Sequence, residues 1–197
     1  MIVLIIGVCG CGKSTIGQAL AQDLGWPFID ADDLHPKTNV AKMASGTPLT
    51  DDDRWPWFDR IVAEMRRLSA AGSPQGANCA PSGGSAAAEL ANEAASVGVH
   101  PSAEDRHAVV ACSALKQAYR NRLAAGGNVR VVYLKGDAAT IEPRLACRAG
   151  HFMPASLLPS QLATLEEPTD AIVVDIRESV AAQVAAITRA MREQSPA

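Results

Sequence analysis

The sequence predicts an α/β fold in which a five-stranded parallel sheet is flanked by helices on both sides. Three observations point there. The chain opens on Met1-Ile-Val-Leu-Ile-Ile6, a continuous apolar run rich in β-branched residues and ended by Gly7, the pattern of a strand covered on both faces. A glycine-rich turn follows, and after it apolar residues recur at helical spacing. Four further short apolar runs then alternate with helical segments, and such alternation gives a parallel sheet with right-handed crossovers.

The elements follow in order. Residues 14–24 place Ile16, Leu20 and Leu24 on one side of a helix, with Gly25 just past its end. Trp26 to Asp30 reads as a second strand. His35 to Ser45 reads as a helix with Pro36 at its first position and Gly46 beyond its last. Thr50-Asp-Asp-Asp53 has the form of a capping box. Pro56 sits awkwardly behind it, so a tight first turn and a main helix from about Trp55 to Leu68 are expected. Ala108 to Cys112 is the third strand, and Leu115 to Ala124 a helix. Val129 to Leu134 is the fourth strand, and Ala138 to Arg148 a helix disturbed at Pro143. Pro154 to Glu166 is helical, Ala171 to Val174 is the fifth strand, and Ser179 to Arg192 is a closing amphipathic helix.

Residues 69–108 are different in kind. Ala, Gly, Ser and Pro fill 26 of these 40 positions, without large apolar periodicity. The stretch reads as a linker-like surface insertion, in which Ser85 to Ser96 is a candidate alanine-rich helix. A chain of 197 residues is therefore expected to form a single domain over 1–197 with a low-complexity insertion at about 69–108.

Composition excludes several functions. The net charge of −3 argues against a generally basic nucleic-acid coat. The uncharged apolar run at the N-terminus, Met1 to Gly12, is too short to span a membrane, and with no Lys or Arg before it and Lys13 closing it, it does not read as a secretory leader. Five cysteines, an odd number in a chain large enough to fold without staples, suit a reduced, cytoplasmic setting.

The strongest chemical signal is Gly7-Val8-Cys9-Gly10-Cys11-Gly12-Lys13-Ser14, which fits the phosphate-loop pattern G-x-x-x-x-G-K-[ST] between a buried strand and a helix. Glycines allow backbone conformations closed to other residues, so successive N–H groups can face one anion while the next helix adds its positive end. Lys13 can then reach the β and γ phosphates of ATP, and the Ser14 hydroxyl can ligate Mg²⁺. Residues 7–15, with Thr15 the last, are the candidate nucleotide-binding segment. Cys9 and Cys11 are read as small loop-filling residues; a helix N-terminus could lower the pKa of Cys11 and make it sensitive to oxidation.

Asp30 and Asp32 follow the second strand, two residues apart, at the sheet end that faces the binding crevice. One could hold a Mg²⁺-bound water, for which Asp30 is the candidate. The other, Asp32, could take the proton of an attacking hydroxyl, with helix capping as the competing role. The third strand ends in Cys112 and lacks the usual acidic residue there. Arg144 and Arg148 share a helical face before Ala-Gly-His151-Phe152, which suits a lid closing over transferring phosphate, or else a solvated basic stripe. Lys116 and Arg120 form a similar pair after the third strand and could face an acceptor substrate.

Taken in order, these blocks resemble the gluconokinases, thermoresistant type, of the P-loop small-molecule kinase group. The resemblance rests on the phosphate loop, on Asp30-x-Asp32-x-Leu-His35-Pro36, and on Asn39-x-x-Lys42-Met43-x-x-Gly46-x-Pro48-Leu49. It continues in Asp51-Asp-Asp-Arg54-x-Pro-Trp57, Cys112-Ser-Ala-Leu-Lys116-x-x-Tyr119-Arg120, Tyr133-Leu-Lys-Gly136, Arg144-Leu-x-x-Arg148-x-Gly150-His151-Phe152 and Leu165-x-Glu-Pro168. It covers nearly all of the chain outside residues 69–108, an insertion that short family members lack. It implies a nucleoside-monophosphate-kinase-like three-layer sandwich with a lid, and Mg²⁺-dependent transfer from ATP to the 6-hydroxyl of D-gluconate, feeding the pentose phosphate pathway. It also implies a cytoplasmic homodimer. By position, Lys13 and Ser14 would hold phosphate and metal, Asp32 the attacking hydroxyl, and Arg148 would act from the lid. An aldonic acid needs a cation for its carboxylate and hydrogen-bonding groups for its hydroxyls. His35, Arg54, Lys116 and Arg120 are the candidates, Arg54 the best single one for the carboxylate. A kinase for another small acidic alcohol such as shikimate, and a nucleotide-binding module without catalysis, are the alternatives.

Overall fold

A computed structural model of the chain describes residues 1–70, 107–146 and 155–193. Residues 71–106 of the expected insertion, which include the candidate helix at 85–96, lie outside the described residues, as do Arg148 and the segment around His151.

Strand β1 (Ile2–Ile6) is buried throughout, and it lies at the centre of a five-stranded parallel sheet of order β2-β3-β1-β4-β5. The partners are β2 (Phe28–Asp30), β3 (Ala108–Ala111), β4 (Val129–Lys135) and β5 (Ile172–Asp175). Ile2 pairs with Ala108 on one side and with Val129 on the other, so β1 is hydrogen-bonded along both edges. Successive side chains of a strand point to opposite faces, which is why an unbroken apolar run is needed here. Val3 and Ile5 pack on one face with Ile16 and Leu20 of α1 (Lys13–Leu24) and with Ile187 and Met191 of α7 (Val180–Glu193). Ile2, Leu4 and Ile6 pack on the other face with Phe58, Ile61 and Met65 of α3 (Asp51–Ala70) and with Tyr119 and Leu123 of α4 (Gln117–Ala124). Each such fully buried side chain contributes about 1.5–3 kcal/mol relative to exposure.

The remaining helices are α2 (Lys37–Ala44), α5 (Ala138–Ala146) and the short α6 (Leu158–Thr164). Helix α2 starts later than expected: Pro36 is its cap, with extended ψ of 147°, rather than its first helical residue. Helix α3, in contrast, is continuous from Asp51 through Pro56. The capping box forms as expected, with Asp53 accepting from the Thr50 N–H at 2.7 Å and the Thr50 hydroxyl facing the Asp53 N–H. Three aspartates in the first turn also favour the positive end of the helix. Pro56 removes one N–H, but it lies on the exposed face, where water can serve the orphaned carbonyl. The second strand is shorter than the expected Trp26–Asp30, starting at Phe28.

Phe58 carries much of the α3 interface. It is 1% exposed and lies among Trp55, Trp57 and Tyr119, with ring centroids 4.9–5.9 Å away. Phe58→Ala is expected to cost about 3–5 kcal/mol of unfolding free energy, read from urea titration, because it removes a buried ring and leaves a cavity within the aromatic cluster.

Candidate active site

The turn after β1 takes the conformation that its glycines permit. Gly7, Gly10 and Gly12 have φ of +146°, +78° and +98°. At Gly10 a side chain is also excluded by space, since a Cβ would lie 2.8 Å from Leu145 of α5. Cys9 and Cys11 are both buried, and a Cβ on Gly7 would meet the Cys11 sulfur at 2.8 Å, so the thiols fill the loop's interior as expected. Lys13 starts α1 and folds back over the loop, donating from Nζ to the Val8 carbonyl at 2.9 Å. Burial works against its charge, but its neighbours Cys11 and Asp32 outweigh it and hold its pKa above the ordinary lysine value. Asp32 is the carboxylate in that set. Just past β3, burial pushes the Cys112 thiol up to about 12, so it stays neutral.

Residues 9–15 of the loop line a cavity of about 660 Å³. Asp32, His35, Arg54, Lys116 and Arg144 face the same space, so five side chains expected of the site are brought together. Gly7 and Val8 lie behind the loop rather than on this wall. Arg144 reaches across to the Ile176 carbonyl at 2.8 Å, just past β5.

Two candidates lie away from the cavity wall. Asp30, expected to help hold a metal, caps the turn that follows β2. Its Oδ1 accepts the Asp32 N–H at 3.1 Å, and it does not line the cavity. The reason is local: a 3-10 turn over Ala31–Leu34 begins at once after β2, so residues two apart no longer share a side as they would in a strand. Arg120 was a candidate for the substrate, but it is only 4% exposed and absent from the cavity wall. Its guanidinium donates to the carbonyls of Ala114 and Leu115 at 3.1 and 3.0 Å and is also held by Gln117. Ala114 has φ of +38°, an unfavourable conformation for a residue with a Cβ. Arg120 thus braces a strained turn that points Ser113 and Lys116 at the cavity.

Other site residues escaped the sequence reading. Asp51, read as part of a cap sequence, accepts from Lys116 Nζ at 3.1 Å, from Arg54 at 3.2 Å, and from the Tyr119 hydroxyl. These bonds, Tyr119 first, hold its carboxyl below the usual range. Arg54 and Lys116 also stand 5.4 and 5.3 Å from the centre of the Tyr119 ring, cation–π distances. Gln161 and Ser160 of α6 close the cavity beside the loop; they belong to no motif, and only the polar side of a short helix could have marked them. Trp57 stacks on His35 at 3.9 Å between centroids and anchors itself by donating to the Ala31 carbonyl at 2.8 Å.

Burial, aided by the Arg54 charge, depresses His35 to about 4, so the ring is neutral at physiological pH. A histidine in the unfolded chain titrates near 6.5, so between those values the unfolded state binds more protons. The stability contributed by His35 is therefore full above pH 6.5 and lost as pH falls toward 4. Melting midpoints over this window should fall less steeply with acid in His35→Gln than in wild type; parallel profiles would refute the assignment.

Comparison with known proteins fits this geometry. The shikimate kinase family model matches residues 9–65, the stretch holding the phosphate loop and Asp32. The gluconokinase of Gluconobacter oxydans is 40% identical over 170 residues, 85% of this chain and 76% of that protein. The thermoresistant gluconokinase of Escherichia coli is 36% identical over 197 residues, 98% of this chain and 94% of that protein. A crystal structure of a gluconokinase from Sinorhizobium meliloti superposes with a TM-score of 0.69 at 34% identity, covering 98% of this chain and 97% of that one. With identity at this level sustained over nearly the whole of both chains, this chain belongs to the gluconokinase family.

Proposed function

We propose that this chain transfers the γ-phosphoryl group of ATP to the 6-hydroxyl of D-gluconate, giving ADP and 6-phospho-D-gluconate. One observation carries the reading: the phosphate loop and a polar wall of Asp32, His35, Arg54 and Lys116 open into one cavity. A nucleotide tail and a small acid can therefore meet there with their reacting oxygens in line.

The chemistry asks mainly for positioning and charge. Residues 10–15 supply loop and helix N–H groups for the phosphates. The Lys13 ammonium, resting on the Val8 carbonyl, exchanges that partner for phosphate oxygens. Asp32 orients the attacking hydroxyl and takes its proton as the oxygen bonds to phosphorus and the bond to the ADP oxygen breaks. Arg54 and Lys116 bring two positive charges against the single carboxylate of Asp51, which leaves net positive potential for the acid group of gluconate. His35, neutral and fixed by its stack on Trp57, is suited to a sugar hydroxyl. Arg144 faces the phosphate side of the cavity, and Arg148 is assigned to the same side by the family resemblance alone.

The donor set fits Mg²⁺. The Ser14 hydroxyl lines the cavity, and no group of three or more His, Cys, Asp or Glu gathers among the described residues. One or two protein oxygens, completed by phosphate and water, are what Mg²⁺ takes. Held there by the Ser14 hydroxyl, the ion would supply positive charge to offset that of the phosphates. No helix among the described residues is long and apolar enough to cross a membrane. A cytoplasmic homodimer is proposed on the family resemblance and, for the compartment, on the odd cysteine count.

Coupled measurement of ADP release with D-gluconate, with shikimate and with neither tests the reading; release that ignores gluconate would overturn it. Lys13→Ala should lower kcat by about 10²–10³-fold with circular dichroism unchanged. Arg54→Ala should raise KM for gluconate by roughly 10–100-fold while leaving KM for ATP alone, as expected for loss of a charged hydrogen bond to the acid group.

A further inference from the structure

The peptide group between Val8 and Cys9 is held at both of its ends. Its carbonyl accepts from Lys13 Nζ at 2.9 Å. Its N–H donates to the side-chain oxygen of Gln161 at 2.7 Å, at the short end of the range for such bonds. No peptide bond among the described residues is cis, so the two groups point in opposite directions within one rigid plane. One clamp comes from the loop's own helix. The other comes from α6, 152 residues further along the chain. The two bonds reinforce each other, because a cation on the carbonyl polarises the amide and strengthens its N–H as a donor.

The place of this peptide matters. It precedes Gly10, where the loop turns against Leu145 of α5, and its carbonyl is the resting partner of the loop lysine. If the plane turned over, the carbonyl would leave the ammonium and the N–H would leave α6. Gln161 also lines the cavity itself, next to Ser160. Neither a loop pattern nor a helix pattern in the sequence pairs residues 9 and 161.

We propose that Gln161 is a positioning residue for phosphoryl transfer: its side-chain oxygen fixes the Val8–Cys9 peptide, and through it the position from which Lys13 reaches the terminal phosphate of a bound triphosphate. This rests on the nucleotide-binding role of the loop given above. The inner phosphates are served by the loop and helix N–H groups, while the lysine reaches the β and γ phosphates, of which a diphosphate offers only the first. Gln161 therefore bears on a triphosphate far more than on a diphosphate.

Isothermal titration of the full chain with ADP and with a non-hydrolysable ATP analogue, both with magnesium, separates the possibilities. Gln161→Met keeps the side-chain length without the acceptor. It should weaken the analogue about tenfold and ADP by less than about twofold, with a melting midpoint near wild type. Gln161→Asn keeps the amide but draws the oxygen back by one methylene, and should behave like Gln161→Met. In turnover both variants should lose kcat, with KM for gluconate unchanged. A side chain that merely supports the fold would move both nucleotides and the melting midpoint together. Equal weakening of both nucleotides, weakening of neither, or wild-type behaviour of Gln161→Asn would overturn the proposal. Failure of the wild-type chain to bind either nucleotide would instead sink the reading of the loop itself.

Discussion

The site is organised by the burial of β1 on both faces and along both edges. A strand so enclosed has one way out, at its C-terminal end, and the loop that leaves there is held at a fixed height above the sheet. Because β3 and β2 run parallel on one side of it, their C-terminal ends deliver the Ser113–Lys116 turn and Asp32 to the same edge. β4 and β5 on the other side bring α5, with Arg144, and the Ile176 carbonyl that receives it. Parallel pairing thus turns five separate chain reversals into one crevice. The glycines finish the arrangement: at φ values positive at three positions, the backbone can curl into a cradle for an anion.

The polar wall shows how a charged site is kept stable without its substrate. Two cations that would repel each other are bridged by Asp51, and both stand within cation–π distance of the electron-rich Tyr119 ring. The same tyrosine is a member of the apolar cluster with Phe58, so the binding wall and the core share a side chain. Arg120 illustrates the opposite choice. Its charge is taken out of the site, and its donors are given to the backbone of a turn held in an unfavourable conformation. Binding geometry at Lys116 therefore depends on an arginine that does not touch the cavity.

Much of this was legible from local pattern. The phosphate loop, the five strands and the helices beside them follow from residue type and spacing, because β1, β3 and β4 must be apolar to be buried and a helix must repeat its apolar face. The Thr50–Asp53 cap was likewise local and formed as read. What failed was the side to which a polar side chain turns. Asp30 and Asp32 are both acidic and two apart, and only the 3-10 turn that starts between them decides that one caps and the other faces the cavity. Lys116 and Arg120 part in a similar way, Lys116 standing in extended backbone as the cap of α4 and Arg120 lying buried inside the helix.

The sequence by itself determined the chemistry on offer: a loop able to bind phosphate, a carboxylate after the second strand, and cations enough for an acidic substrate. Those follow from bonding within a few residues, where composition leaves the backbone few choices. Tertiary structure alone decided the partnerships across the chain, Asp51 with Lys116 and Tyr119, and Gln161 with the Cys9 amide. Such pairs depend on how helices settle against the sheet. That depends on the summed packing of many apolar side chains, to which the polar residues concerned contribute little.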